Sequence, residues 1–177
     1  MINLSKLQVM IKKILIVLLV ALVIIQFIRP AKNNKGNKDF AITTKYDMPN
    51  NVKVVFDKAC ADCHSNNTNY PWYTNIQPLG YWINNHVKEG KKEINFDEFT
   101  NKKIGLQHHK LKEAIEQIEK DEMPLPSYTI IHKDAKLTKE EKDLLINWFQ
   151  NIVSNMEAIY PKDSLQLKKR TKEESEK

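Results

Sequence analysis

Cys60, Cys63 and His64 are the residues whose types and spacing first suggest chemistry, in the pentapeptide Cys60-Ala61-Asp62-Cys63-His64. Two thiols three residues apart fall on one helical turn, so both can reach the vinyl groups of one porphyrin as thioethers. His64 follows directly and is placed to ligate the iron from the same side. This is the CxxCH spacing of covalent c-type haem attachment, and it predicts one haem c per chain. Other chemistries use the same residue types. A thioredoxin-like thiol pair needs a βαβ setting, whereas this neighbourhood reads as helical. A zinc site needs two further ligands at matching spacing, and the nearest pair, His108 and His109, are adjacent and point about 100° apart on a helix. A plain disulfide is the remaining alternative.

A second iron ligand is sought on the other side of the porphyrin. Met123-Pro124-Leu125-Pro126-Ser127-Tyr128 places a thioether beside two prolines, which fix the backbone and remove donors. A thioether is a weak ligand and binds persistently only where it is held, so Met123 is the expected sixth ligand, with core filling as its alternative. His86 shares an apolar helical face with Leu79, Trp82, Ile83 and Val87. Three roles are open to it: a satisfied core residue, a donor to a haem propionate, or an iron ligand. Trp72 and Tyr73, in the cluster Tyr70-Pro71-Trp72-Tyr73, either wall the porphyrin or fill a small core. His108 and His109 lie at the polar start of a helix and are expected at the surface.

The elements that must position these groups read as all-α, with four glycines and few alternating β-branched residues. After Pro49, with Asn50 or Asn51 as N-cap, Val52, Val55, Phe56, Ala59 and Cys60 recur at helical spacing and deliver the CxxCH motif. Residues 65–69 form a turn, the His86 helix ends near Gly90, residues 95–99 make a loop or short turn, and another helix covers 106–120. Thr138 and Glu141 make a capping box for a last helix with the apolar face Leu144, Leu145, Trp148, Phe149, Ile152, Val153 and Met156. That helix should pack across the first one of the domain.

In the chain of 177 residues, residues 50–160 are the expected domain, 31–49 a polar tether, and 161–177 a charged, disordered tail. Residues 1–30 hold an apolar run, from Ile14 to Ile28, broken only by Gln26. At about 1.5 Å per residue the run alone falls short of a hydrocarbon core of about 30 Å, so it must recruit residues 7–11. No A-x-A-like cleavage site follows, so an uncleaved anchor with a helix over about 7–28 is expected. No cysteine near its end offers a lipoprotein anchor. The net charge of +6, from 28 basic and 22 acidic residues, is mixed along the sequence and demands no nucleic acid. It suits an acidic redox partner protein or anionic lipid headgroups.

The order of parts over about 50–157 resembles class I cytochrome c: helix, CxxCH, long loop, Met-Pro loop and capped terminal helix. More narrowly, Cys63-His64-Ser65-Asn66-Asn67-Thr68, the Tyr70–Tyr73 cluster, Asn85-His86-Val87 with Gly90, Asn95-Phe96 and the Met123–Tyr128 loop resemble the haem-binding domain proteins, cytochrome-c-like chains of Bacteroidetes. The resemblance implies haem attached through Cys60 and Cys63, His64 as proximal ligand and Met123 as distal ligand. It also implies a haem domain outside a bacterial cytoplasmic membrane, on the periplasmic side, because c-type haem is attached there. The expected role is electron transfer rather than catalysis, since His/Met ligation saturates the iron. A gas-binding sensor, or a peroxidase-like enzyme with His86 as distal acid/base, are the alternatives.

Overall fold

In a computed structural model of the protein, which describes residues 4–34 and 36–167, the N-terminal run forms helix α1, Leu4–Ile25. Its 22 residues extend about 33 Å at about 1.5 Å each. Leu4, Leu7, Val9, Met10 and Ile11 lengthen the run beyond Lys12 and Lys13. No α1 side chain is buried. The helix is long and apolar enough to cross a membrane, a property that an N-terminal signal sequence shares. It starts and ends earlier than the expected 7–28; past Ile25 the backbone tightens, with the Gln26, Phe27 and Ile28 amides donating three residues back, and Gln26 Nε2 donates to the Leu22 carbonyl (2.9 Å).

Residues 31–49 are not a free tether. The Asn33 carbonyl accepts from the Thr68 amide (2.8 Å), Asn34 and Asn67 form an isolated antiparallel bridge, and Ile42 is buried in the main core. Asparagines that look like linker residues here pair with backbone groups of the turn after the CxxCH motif, satisfying donors and acceptors that would otherwise be stranded. Lys35 lies outside the described residues.

The haem-motif helix, α2, runs without a break through Asn50–Phe56, Asp57–Ala61 and Asp62–His64. Its middle segment widens to π-helical hydrogen bonding, a feature common at functional sites. Pro49, rather than Asn50 or Asn51, occupies the N-cap, and no side chain caps it. Helices α3 (Leu79–Glu93), α4 (Ile104–Glu119) and α5 (Lys139–Ile159) complete the domain. Among the described residues there is no β-strand, so the all-α expectation holds.

Helices α4 and α5 pack along each other and α2 crosses α5. Phe96 joins them, 4.8 Å edge-on from Phe56 and 5.9 Å stacked on Phe149, between ring centroids. A smaller core of Tyr73, Ile83 and Val87 lies apart from this one. Cys60 packs on the first core, and Tyr128 on the second.

Two surface expectations need correction. His108 is tucked between α4 and α5, only 12% exposed, with Nε2 2.8 Å from Glu157; His109 stays half-exposed beside Glu113. The tail is packed as far as Leu165, which is buried in the main core. A Cβ on Gly105 would stand 2.8 Å from the Ser164 and Gln166 carbonyl oxygens, which shows how closely this segment lies on α4. The disorder expected for 168–177 lies outside the described residues.

Helix α5 opens with the expected capping box: the Glu141 amide donates to Thr138 Oγ1 (3.2 Å) and the Thr138 amide to Glu141 Oε2 (3.0 Å). Glu141 also accepts from Lys58 Nζ at 2.6 Å, tying α2 to α5. The Lys58 ammonium, then the Thr138 amide, hold the Glu141 carboxyl below its ordinary value. A carboxyl depressed by folding contributes stability above its unfolded value and loses it as pH falls through the folded one. Wild type should therefore exceed Glu141→Gln in stability near neutral pH by about 1 kcal/mol, the gap closing below about pH 4. Thermal melts of both proteins across that range check this; a gap that does not change with pH would contradict it.

Candidate functional site

The widened turn of α2 sets Cys60 and Cys63 along a cleft with two lobes, of about 360 and 290 Å³. Cys60 lines the first lobe with Phe96, Ile118 and Phe149, while Cys63 lines the second with Tyr73, His86 and Tyr128. Ala59, His64, Glu93, Met123 and Pro124 line both. His64 and Met123 therefore share the waist of the cleft, with one cysteine in each lobe.

His64 Nδ1–H donates to the Ile94 carbonyl (3.0 Å), which fixes the tautomer and leaves the Nε2 lone pair free. Burial pushes the imidazole below its ordinary value, against the Ile94 and Gly90 carbonyls, which raise it. The ring is thus held neutral, as a metal ligand must be. Phe96 packs on it edge-to-face at 6.1 Å.

Both cysteines are free. Burial pushes the Cys60 thiol up to about 12, with smaller contributions from Cys63 and Asp57, and the Cys63 thiol up to about 11, with Asp62 adding to it. Redox-active thiol pairs have depressed values instead, so the thioredoxin-like alternative finds no support. Among the described residues, no three His, Cys, Asp or Glu side chains come together as metal ligands, which leaves the zinc alternative without a ligand set.

Met123 is half-buried at the exit of α4, where its amide and that of Glu122 both donate to the Gln117 carbonyl (3.2 and 3.0 Å). Beyond it, Pro126 starts a short helical turn, Pro126–Thr129. The turn carries Tyr128, whose hydroxyl donates to Asp62 Oδ2 inside the CxxCH motif (2.8 Å). Burial, then Asp62, raises the Tyr128 phenol far above its ordinary value, so it stays a donor. Tyr128 stacks on His132 at 4.1 Å, and His132 Nε2 is hydrogen-bonded to the Tyr73 hydroxyl. Asp62, Tyr128, His132 and Tyr73 thus strap the Met123 loop to the cysteine motif. The sequence held no signal for the part played by His132, because its partner Tyr73 is 59 positions away.

Of the aromatic pair expected to wall a porphyrin, Tyr73 is buried and lines the second lobe. Trp72 is 74% exposed and lines neither lobe. The short helical turn Trp72–Asn75 sends the two rings to different sides, 6.1 Å and 82° apart. His86 lines the second lobe with its ring edge-on to Trp82 at 4.6 Å. Its Nε2 is buried and has no hydrogen-bond partner.

Gly90 does not end its helix, which continues to Glu93. Its role is close approach: a Cβ there would lie 2.8 Å from the Cys63 carbonyl oxygen, and among the described residues no glycine has positive φ. Gly90→Ala should therefore push α3 off the motif, costing about 1–3 kcal/mol and lowering the fraction of chains that retain haem. Thermal melts with a pyridine haemochrome assay test this, and wild-type values in both would contradict it.

The turn after the motif is held by buried polar groups. The Asn66 amide donates to Asp97 Oδ2 (2.8 Å), and Asn66 Oδ1 accepts from Asn95 Nδ2 (2.8 Å). These bonds tie the turn after the motif to Asn95 and Asp97.

The cleft fits a haem on observations of this chain alone: a mainly apolar slot with Glu93, Lys110, Glu113 and Glu116 on the first lobe, a cysteine in each lobe, an imidazole with Nε2 free, a thioether at the shared waist, and an unsatisfied buried nitrogen on His86. No curated protein and no solved structure matches the chain. The family model described as haem-binding domain matches residues 20–151, more than half of the chain. The chain accordingly belongs to the haem-binding domain family.

Proposed function

We propose that the protein is a membrane-anchored c-type cytochrome that carries electrons on the periplasmic side of a bacterial cytoplasmic membrane. Cys60 and Cys63 would hold one haem as thioethers, with His64 Nε2 and Met123 Sδ as the groups that would ligate its iron. The haem supplies an iron that changes valence by one electron. The observation that carries this reading is the shared waist: His64 and Met123 line both lobes, with one cysteine to either side. The chain's own part is to fix the His64 tautomer through Ile94, to hold Met123 by the Gln117 carbonyl and the Tyr128–Asp62 strap, and to surround both with apolar walls. Helix α1 serves as the anchor, and a redox protein is the partner.

Protein-film voltammetry of the haem-loaded protein tests the carrier role. A reversible one-electron wave, unchanged by peroxide, is expected. A specific observation favours a second reading: His86 Nε2, buried and unpartnered in the lobe beside Met123, is placed as a distal acid/base. A peroxide-dependent catalytic current that His86→Ala abolishes would move the assignment to peroxide chemistry.

A further inference from the structure

We propose that the haem domain lies directly on the bilayer surface from which α1 emerges, seated through Trp72, Ile76, Leu79 and Tyr81. The inference rests on the membrane-anchor reading of α1 and goes beyond it, because an anchor by itself leaves the domain free to swing.

The end of α1 is fastened to the domain. Gln26 Nε2 donates to the Gln77 carbonyl (3.1 Å) and the Gln77 amide donates to Gln26 Oε1 (2.9 Å), a reciprocal amide pair between the last turn of the span and the segment before α3. Seven residues on, Asn33 is held from both sides: its amide donates to the Tyr70 hydroxyl (3.0 Å), and its Oδ1 accepts from Lys91 Nζ (2.6 Å). Between these two fixings, Lys32 Nζ donates to Asn75 Oδ1 (3.3 Å). The connection therefore has no slack, and residue 77 sits at the level of residue 26, where the apolar helix ends.

The surface brought to that level is apolar. Ile76 and Leu79 flank Gln77 and are 46% and 40% exposed; Trp72 and Tyr81 are exposed further out, and Phe27 on the α1 side is 84% exposed. Single exposed apolar side chains are ordinary, but Ile76 and Leu79 stand close in sequence to Gln77, which is bonded to the end of a membrane-length helix. Trp and Tyr are also the residues enriched where bilayer meets water.

The charge distribution points to the same occupant. The protein is 28% charged, yet from Cys63 to Val87 there is no Lys, Arg, Asp or Glu. Such a neutral stretch would be an odd choice for a solvated face or for steering an acidic protein. It suits a bilayer interface, where charged groups lose hydration. Arg29 and Lys32 share a small hollow with Tyr70 and Asn75 of this stretch and supply the positive charge that lipid phosphates attract.

Tyr73, Ile83 and His86, on the same two elements as the seat, line the second lobe of the cleft. Seating the domain thus fixes the cleft at a short, constant height above the bilayer.

The test reconstitutes the full-length, haem-loaded protein in phosphatidylcholine/phosphatidylglycerol vesicles containing a phospholipid with a diazirine near the glycerol end of its acyl chain. After illumination, mass spectrometry locates the lipid adducts. Adducts are expected on the peptide covering Trp72–Tyr81 as well as on α1, at several-fold the yield on exposed α4. Trp72→Ser with Ile76→Ser should remove those on the domain peptide and leave the α1 adducts in place. Adducts on α1, with the 72–81 peptide at the α4 background, would overturn the seat while sparing the anchor. No adducts on α1 would overturn the anchor reading itself. Adducts on 72–81 that vanish as the protein-to-lipid ratio rises, with chain-to-chain crosslinks in their place, would assign the patch to a second copy and overturn the proposal.

Discussion

Met123→Leu is expected to leave the haem attached and the fold intact while opening the sixth iron position. Leucine keeps nearly the volume of methionine, so the packing cost stays below about 1.5 kcal/mol, whereas alanine would mix cavity formation with loss of ligation. The thioether is what Met123 contributes at the waist of the cleft, and the strap from Tyr128 to Asp62 holds the loop whether or not the sulfur is present. The ferric spectrum should lose its methionine-to-iron charge-transfer band, and carbon monoxide should bind the ferrous protein stoichiometrically. The reduction potential should fall, because methionine ligation raises it. An unchanged spectrum would remove Met123 from the site and turn attention to His86.

Cys60→Ala and Cys63→Ala should have the largest effect on the domain as a whole. Each is predicted to impair haem retention, and the double variant to abolish it. The consequence for folding follows from the cleft. Without haem, the apolar side chains lining the cleft, Phe96, Ile118 and Phe149 among them, lose the partner they would pack on and face water. Limited proteolysis should find the double variant degraded under conditions that wild type survives. A protease-resistant double variant without haem would show that the protein walls alone make the core.

Local chemistry made much of this fold legible. The capping box at Thr138 and Glu141 is a short-range device, as is the 3.6-residue rhythm from Leu145 to Met156, and both stand where expected. What stayed hidden depends on partners far away in sequence. Residues 31–49 look like a linker by composition, yet Asn33 is bonded to residues more than thirty positions on. Gly90 carries the same letter whether it ends a helix or admits a backbone, and only the nearness of Cys63 tells which. At the site, Cys60, Cys63, His64, Met123, Tyr73 and His86 all line the cleft. Trp72 does not, since an aromatic cluster records that rings are wanted without recording by which surface.

The most direct measurement is the optical spectrum of the full-length protein, made in cells with a c-type haem maturation pathway and recorded ferric, ferrous, and ferrous with carbon monoxide. The account predicts haem that resists acid-acetone extraction, a low-spin ferric spectrum with a methionine-to-iron charge-transfer band, and a ferrous spectrum that carbon monoxide does not shift. Extractable haem would contradict attachment through Cys60 and Cys63. A high-spin or readily shifted spectrum would contradict the closed His64/Met123 site.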